Sequence, residues 1–111
     1  MVQYAKSLDH AFTALADPTR RGILEQLGRG DASISDLAAR YDMTLTGMRK
    51  HVSLLEAAGL VKSAKVGRVR TCRLGPRRLE DELDWIIRHR RQVAARLDQL
   101  GDFLERTKGE D

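Results

Sequence analysis

"TLTGMRKHVSLLEAAGLV", Thr44 to Val61, puts two different faces on one helical wheel. At about 100° per residue, Leu45, Met48, Val52 and Leu55 gather on one side. Thr46, Arg49, Lys50 and Ser53 gather on the opposing arc. The first side suits a protein core and the second does not. A solvated face explains polar residues in general, but such a face usually mixes signs, and here no acid precedes Glu56. Thr44 is placed to cap the helix and Gly59 to end it. Gly47 stands inside, at a cost on the order of 1 kcal/mol relative to Ala. Two readings of Gly47 stay open: close approach of backbone to a ligand, or tolerated drift. His51 leans toward the apolar side, where a half-buried, hydrogen-bonded ring fits.

The flanking segments extend this picture. "SISDLAARYD" predicts a short helix capped by Ser33 or Ser35 that buries Ile34, Leu37 and Ala38. Two helices joined by so short a turn make a helix-turn-helix unit over 33–58. Upstream, Leu8, Phe12 and Leu15 form one stripe at spacings of four and three. Asp17 then caps a second helix with Pro18 at its first position. That helix buries Ile23, Leu24 and Leu27 and stops near Gly28 or Gly30, so the first two helices occupy 7–29.

Downstream the period changes. "LVKSAKVGRVRTCRL" alternates apolar with basic residues about Val66-Gly67, which predicts a β-hairpin over 60–74 with a basic tip. Pro76 opens a last helix over 76–107, with Leu79, Leu83, Ile86, Arg90, Val93, Leu97, Leu100 and Leu104 at alternating steps of four and three. Such a helix is roughly 45 Å long, longer than a domain of this size can cover alone. Its stripe asks for a partner helix. The expected architecture is mainly α with a small hairpin wing: a winged helix-turn-helix of five helices in a single domain, 1–111.

Composition narrows the function. The 111 residues are 41% apolar and 32% charged, as in a folded protein, and only 5% aromatic. Lys and Arg number 20 against 16 Asp and Glu, for a net charge of +4 and a pI near 9.6. Placement matters more than the total. Lys62, Lys65, Arg68, Arg70, Arg73, Arg77 and Arg78 lie in one stretch with no acid among them, and acids resume in "EDELD" at Glu80 to Asp84. That segregation suits a polyanionic partner.

A single cysteine, Cys72, excludes an internal disulfide and points to a reducing compartment. The first residues do not read as a signal peptide, and no apolar stretch approaches the roughly 20 residues that cross a bilayer. The expectation is a cytoplasmic protein. Chemistry finds little support: no nucleophile has a paired base at suggestive spacing, and no glycine-rich phosphate loop follows a strand. Neither an enzyme nor a cofactor is expected. "EDELD" reads as a helix start favoured by the dipole, and Trp85 as packing.

"ALADPTRRGILEQL", "ISDLAARYDMTLTGMRKHVSLLEAAGLV" and "GRVRTCRL" occur in an order and at distances that resemble the ArsR family of bacterial winged-helix transcription regulators. The likeness runs over about residues 8 to 104. "LDWIIRHRR" adds a likeness to a branch without a recognised metal site. The resemblance implies a homodimer whose first and last helices form the interface, here Leu8, Phe12, Leu83, Ile86, Val93, Leu97, Leu100 and Leu104. It also implies repression by occupying a promoter. Metal-responsive members carry cysteines in the third helix or carboxylates and histidines in the fifth. This chain offers Ile34, Ser35 and Asp36 in the former, and Asp84 and His89, five apart, in the latter, so no metal is expected.

On this reading the fourth helix enters the major groove of double-stranded DNA. Thr46, Arg49, Lys50 and Ser53 contact it, with Gly47 at closest approach. Arg49 is the first choice for base readout, because a guanidinium can hydrogen-bond guanine at two atoms. Many relatives carry a small hydroxyl residue there, so their base assignments do not transfer. Lys65, Arg68 and Arg70 on the wing hold phosphates or enter the minor groove. Thr19, Arg20 and Arg21 at the second helix start are further phosphate candidates, against capping and surface charge. A pseudo-palindromic operator follows from two-fold symmetry. Two alternatives stand beside this: a winged-helix module that binds protein, and a ligand- or redox-gated repressor. In the redox version, Arg70 and Arg73 favour a Cys72 thiolate, against the plainer reading of Cys72 as a small buried hydrophobe.

Overall fold

The structure, a computed structural model, describes residues 2–108. Its elements run α1 (Val2–Leu15), α2 (Pro18–Arg29), β1 (Ala32–Ser33), α3 (Ile34–Arg40), α4 (Leu45–Ala57), β2 (Val61–Val66), β3 (Val69–Leu74) and α5 (Glu80–Lys108). The chain divides into two compact units, Met1–Leu79 and Glu80–Asp111.

In the first unit, short side-chain oxygens set the helix starts. Asp17 Oδ2 accepts from the backbone N–H of Arg20 at 3.1 Å, and Pro18 follows where its missing N–H costs nothing. Ser33 Oγ accepts from Asp36 N at 3.0 Å and Thr44 Oγ1 from Gly47 N at 3.0 Å. Ser33, not Ser35, is therefore the cap of α3. Asp42, at φ +52, turns the chain between α3 and α4, a left-handed position that Asp tolerates better than most residues. Gly59, at φ +75, turns it out of α4.

These starts aim the apolar stripes at one another. Ile23, Leu37, Met48, Val52, Leu55, Val61 and Cys72 are fully buried, and Leu27, Ile34 and Ala38 close around them. Each large aliphatic side chain so buried contributes about 1.5–3 kcal/mol. Leu24 is half-buried at the margin. Leu45 departs from the wheel and is 45% exposed, because it sits in the first turn of α4, where the helix leaves the core.

The wing is tied to the helix-turn-helix. β2 and β3 pair antiparallel from Val61↔Leu74 to Val66↔Val69, with Gly67 at φ +64 in the two-residue turn. The expected two-stranded hairpin has a third strand. β1 pairs with β3 through Ala32↔Cys72 and Ser33↔Thr71, so Ser33 ends a strand and caps α3 at once. Two residues are too few to show a period of two, which is why the strand left no pattern.

The last helix also begins later than Pro76 suggested. Residues 76–79 are non-helical. Arg77 Nη1 donates to the carbonyl of Ala58, the C-cap of α4, at 2.7 Å. Leu79 takes φ +59 and packs against the core, so it is not part of the long helix's stripe. At the other end, α1 starts at Val2, ahead of position 7, since the stripe that announced it begins only at Leu8.

The second unit is α5, 29 residues and about 44 Å long. Glu80, Asp81 and Glu82 occupy its first turn and Arg106 and Lys108 its last, matching the helix dipole at both ends. Leu83, Ile86, Val93, Leu97, Leu100 and Leu104 are 43% to 60% exposed, and Phe103 joins them at 52%. Trp85 is also exposed and stacks on His89, with 5.3 Å between ring centroids.

Candidate nucleic-acid interface

α4 buries Met48, Val52 and Leu55 and turns Thr46, Arg49, Lys50 and Ser53 outward, all four exposed. With Leu54 they line a shallow depression of about 530 Å³. At Gly47 a Cβ would stand 3.2 Å from Thr44 Oγ1 and 3.3 Å from the Met43 methyl. The missing side chain thus leaves room for the hydroxyl that caps the helix, a local cause that neither earlier reading of Gly47 contained.

Beside this face lies the wing. Arg49, Lys65, Arg68 and Arg70 line a groove of about 390 Å³ between α4 and the hairpin, together with Ser33, Ser35, Leu45 and Val69. Arg49 belongs to both concavities and forms the ridge between them. No acid lines either one. Lys65 and Arg70 face each other directly across the ladder, a like-charge pair that destabilises the hairpin unless an anion lies near. Arg70 Nη1 donates to Ser63 Oγ at 3.1 Å, and Ser63 Oγ donates to Glu56 Oε2 at 3.3 Å, so the wing is held to the end of α4. At the tip, Val66 and Val69 are 75% and 52% exposed, an apolar pair between cations.

The start of α2 behaves differently from expectation. Arg20 is half-buried; its Nε donates to Ala14 O at 2.9 Å, its Nη2 to Thr13 O at 2.9 Å, and its Nη1 lies 3.1 Å from His51 Nδ1. Its guanidinium is engaged inside the protein. Arg21 is exposed, though Nη1 reaches Leu15 O at 2.6 Å, and Thr19 is half-buried. His51 is half-buried and hydrogen-bonded. The N–H of Arg20 on its carboxylate is the main reason that Asp17 titrates below its ordinary value.

Cys72 is fully buried. Burial pushes its thiol up, Glu56 adds to the rise, and Arg70 opposes it only in part. The expectation that arginines favour a thiolate is thus reversed, because desolvation outweighs the charge beside it. Among the described residues, no group of three or more His, Cys, Asp or Glu stands together to hold a metal ion. No described helix is long and apolar enough to cross a membrane.

Sequence reasoning missed Ser33, Ser35, Leu45 and Val69 as groove-lining residues and Phe103 on α5. Val69 was legible in principle, since the strand alternation places it at the turn. The others depend on how α3, α4 and β1 meet.

A helix-turn-helix domain family matches residues 15–64. The solved ArsR family transcriptional regulator RHA00566 shares 39% identity, with a TM-score of 0.74, over 85% of this chain and 97% of that one. The chain belongs to the ArsR family. The uncharacterized HTH-type transcriptional regulator YuzN of Bacillus subtilis (strain 168) is 42% identical over 69 residues, covering 56% of this chain and 75% of that protein. The transcriptional repressor SdpR of the same organism is 28% identical over 80 residues, 72% of this chain and 89% of that one. This ArsR-family member is a DNA-binding transcriptional regulator with a winged helix-turn-helix fold, and its family and fold are those of regulators rather than of enzymes.

Proposed function

We propose that this protein is a homodimeric, sequence-specific repressor that acts on DNA in the cytoplasm. The observation that carries the reading is the outer face of α4 from Thr46 to Ser53, which holds no acid and is continuous through Arg49 with the cationic groove of the wing. α4 lies in the major groove, where Arg49 reads a guanine edge and Thr46, Lys50 and Ser53 contact neighbouring positions, with Gly47 nearest the duplex. Lys65, Arg68 and Arg70 hold phosphates, which supply affinity and register while base edges supply choice. Thr19 and Arg21 reach phosphate only at the periphery.

Two copies pair through the exposed stripe of α5, with Phe12 of α1 at the margin. Leu8 is only 9% exposed and has little surface to add. Two-fold pairing sets the α4 helices about 34 Å apart, one helical turn of DNA, and so requires a pseudo-palindromic site. Repression follows from occupying a promoter; SdpR, a relative, is named a transcriptional repressor.

Selection of bound genomic fragments, followed by a salt series on the selected and random duplexes, tests this reading. Expected are a palindromic consensus and affinity that falls steeply with salt. Equal affinity for all sequences, or no salt dependence, would contradict it.

A further inference from the structure

We infer that Arg20 and His51 are positioning residues: a strut that sets the roll of α4 about its own axis, and so the aim of its reading face, without touching DNA. The inference rests on the reading of α4 as the groove helix. Three helices meet at one guanidinium, which joins the last carbonyls of α1 at Thr13 and Ala14 to the His51 ring on α4, from a backbone anchored by Asp17. A guanidinium has five donors and no acceptor. The ring must therefore offer the Nδ1 lone pair, which makes it the neutral tautomer with its proton on Nε2. On the helical wheel His51 lies on the flank away from Thr46, Arg49 and Ser53. A hold there resists rotation, and rotation is what would misdirect Arg49. Arg49 works only within the tight geometry of a two-bond contact to a base edge.

The planar fork is what a lysine cannot imitate, since one ammonium does not span two carbonyls and a ring nitrogen at fixed angles. Arg20→Lys keeps the charge and removes the fork. It should weaken binding to the selected operator roughly tenfold or more, the scale of losing a hydrogen bond to a charged group. Binding to random duplex, which needs no aim, should change far less. The salt slope should stay as in the wild type. His51→Ala should do the same, and the double variant should be no worse than either single one.

A direct phosphate contact by Arg20 predicts the opposite pattern. Arg20→Lys would then bind nearly as wild type, and Arg20→Ala would lower the salt slope by about 0.9. Either result overturns the strut. General loss of fold is separated by melting curves on each variant, and His51→Ala leaves both carbonyl bonds in place if Arg20 variants do not fold. A DNA-free arm keeps the strut testable even if the groove reading fails. Long-range proton–nitrogen spectra should show His51 with Nδ1 unprotonated, and that state should be lost in Arg20→Lys. A wild-type ring protonated at Nδ1 would end the proposal.

Discussion

α4 and α5 are both amphipathic helices, yet they leave opposite faces open. α4 buries its apolar stripe, with Met48, Val52 and Leu55 at 1% exposure or less, and offers water a face of Thr, Arg, Lys and Ser. α5 presents its apolar stripe instead, Leu97 at 60% and Leu104 at 57%. Surface salt bridges such as Arg88 Nε to Asp84 Oδ2 at 3.2 Å add little to its stability. A polar face that carries no acid from Thr46 to Ser53 is suited to a polyanion; an apolar face 44 Å or so long is suited to another apolar face. On the proposed reading, the same periodicity carries two kinds of recognition, and the residues left exposed decide which.

The sharpest way to break this contrast is to charge the α5 stripe. Leu97→Glu with Leu100→Glu should give a monomer by light scattering and lower operator affinity about a hundredfold or more, the usual gain from joining two sites. A dimer of unchanged mass would remove α5 from the interface. Next in size is Leu55→Ala, which should cost about 2–5 kcal/mol in denaturant titrations at any protein concentration. Leu97→Ala should instead show a loss that grows as the protein is diluted, because only association is weakened. Arg49→Ala should lose about 1–3 kcal/mol of preference between operator and random duplex while weak binding persists. Arg68→Ala should weaken both duplexes alike and lower the salt slope by about 0.9. The smallest effect belongs to Asp17. Its folded carboxyl titrates below the ordinary value, so its ionised form stabilises the protein at neutral pH, and that contribution is lost as pH falls through the depressed value. Asp17→Asn should flatten this acid limb of the stability curve while still capping α2.

Local chemistry made most of the fold legible. Asp17-Pro18, Ser33 and Thr44 mark helix starts because their signals lie within three residues of the bonds they make. The stripes of α2, α3 and α4 are legible because burial repeats with the helix. What escaped depends on distant partners. Pro76 looked like a helix start, but Arg77 reaches back to Ala58 and Leu79 to the core, which holds 76–79 out of the helix. Arg20 read as a phosphate contact or as surface charge because Thr13, Ala14 and His51 become its partners only after α1, α2 and α4 pack. The outer face of α4 was visible on the wheel. Its union with the wing through Arg49 needed β1, whose two residues carry no periodicity.

Amide-shift mapping of isotope-labelled protein titrated with the selected operator tests the central claim most directly. The account predicts changes concentrated at Thr46 to Ser53 and at Lys65 to Arg70, with Leu83 to Leu104 undisturbed. Changes centred on α5, with Thr46, Arg49 and Lys50 unmoved, would contradict it.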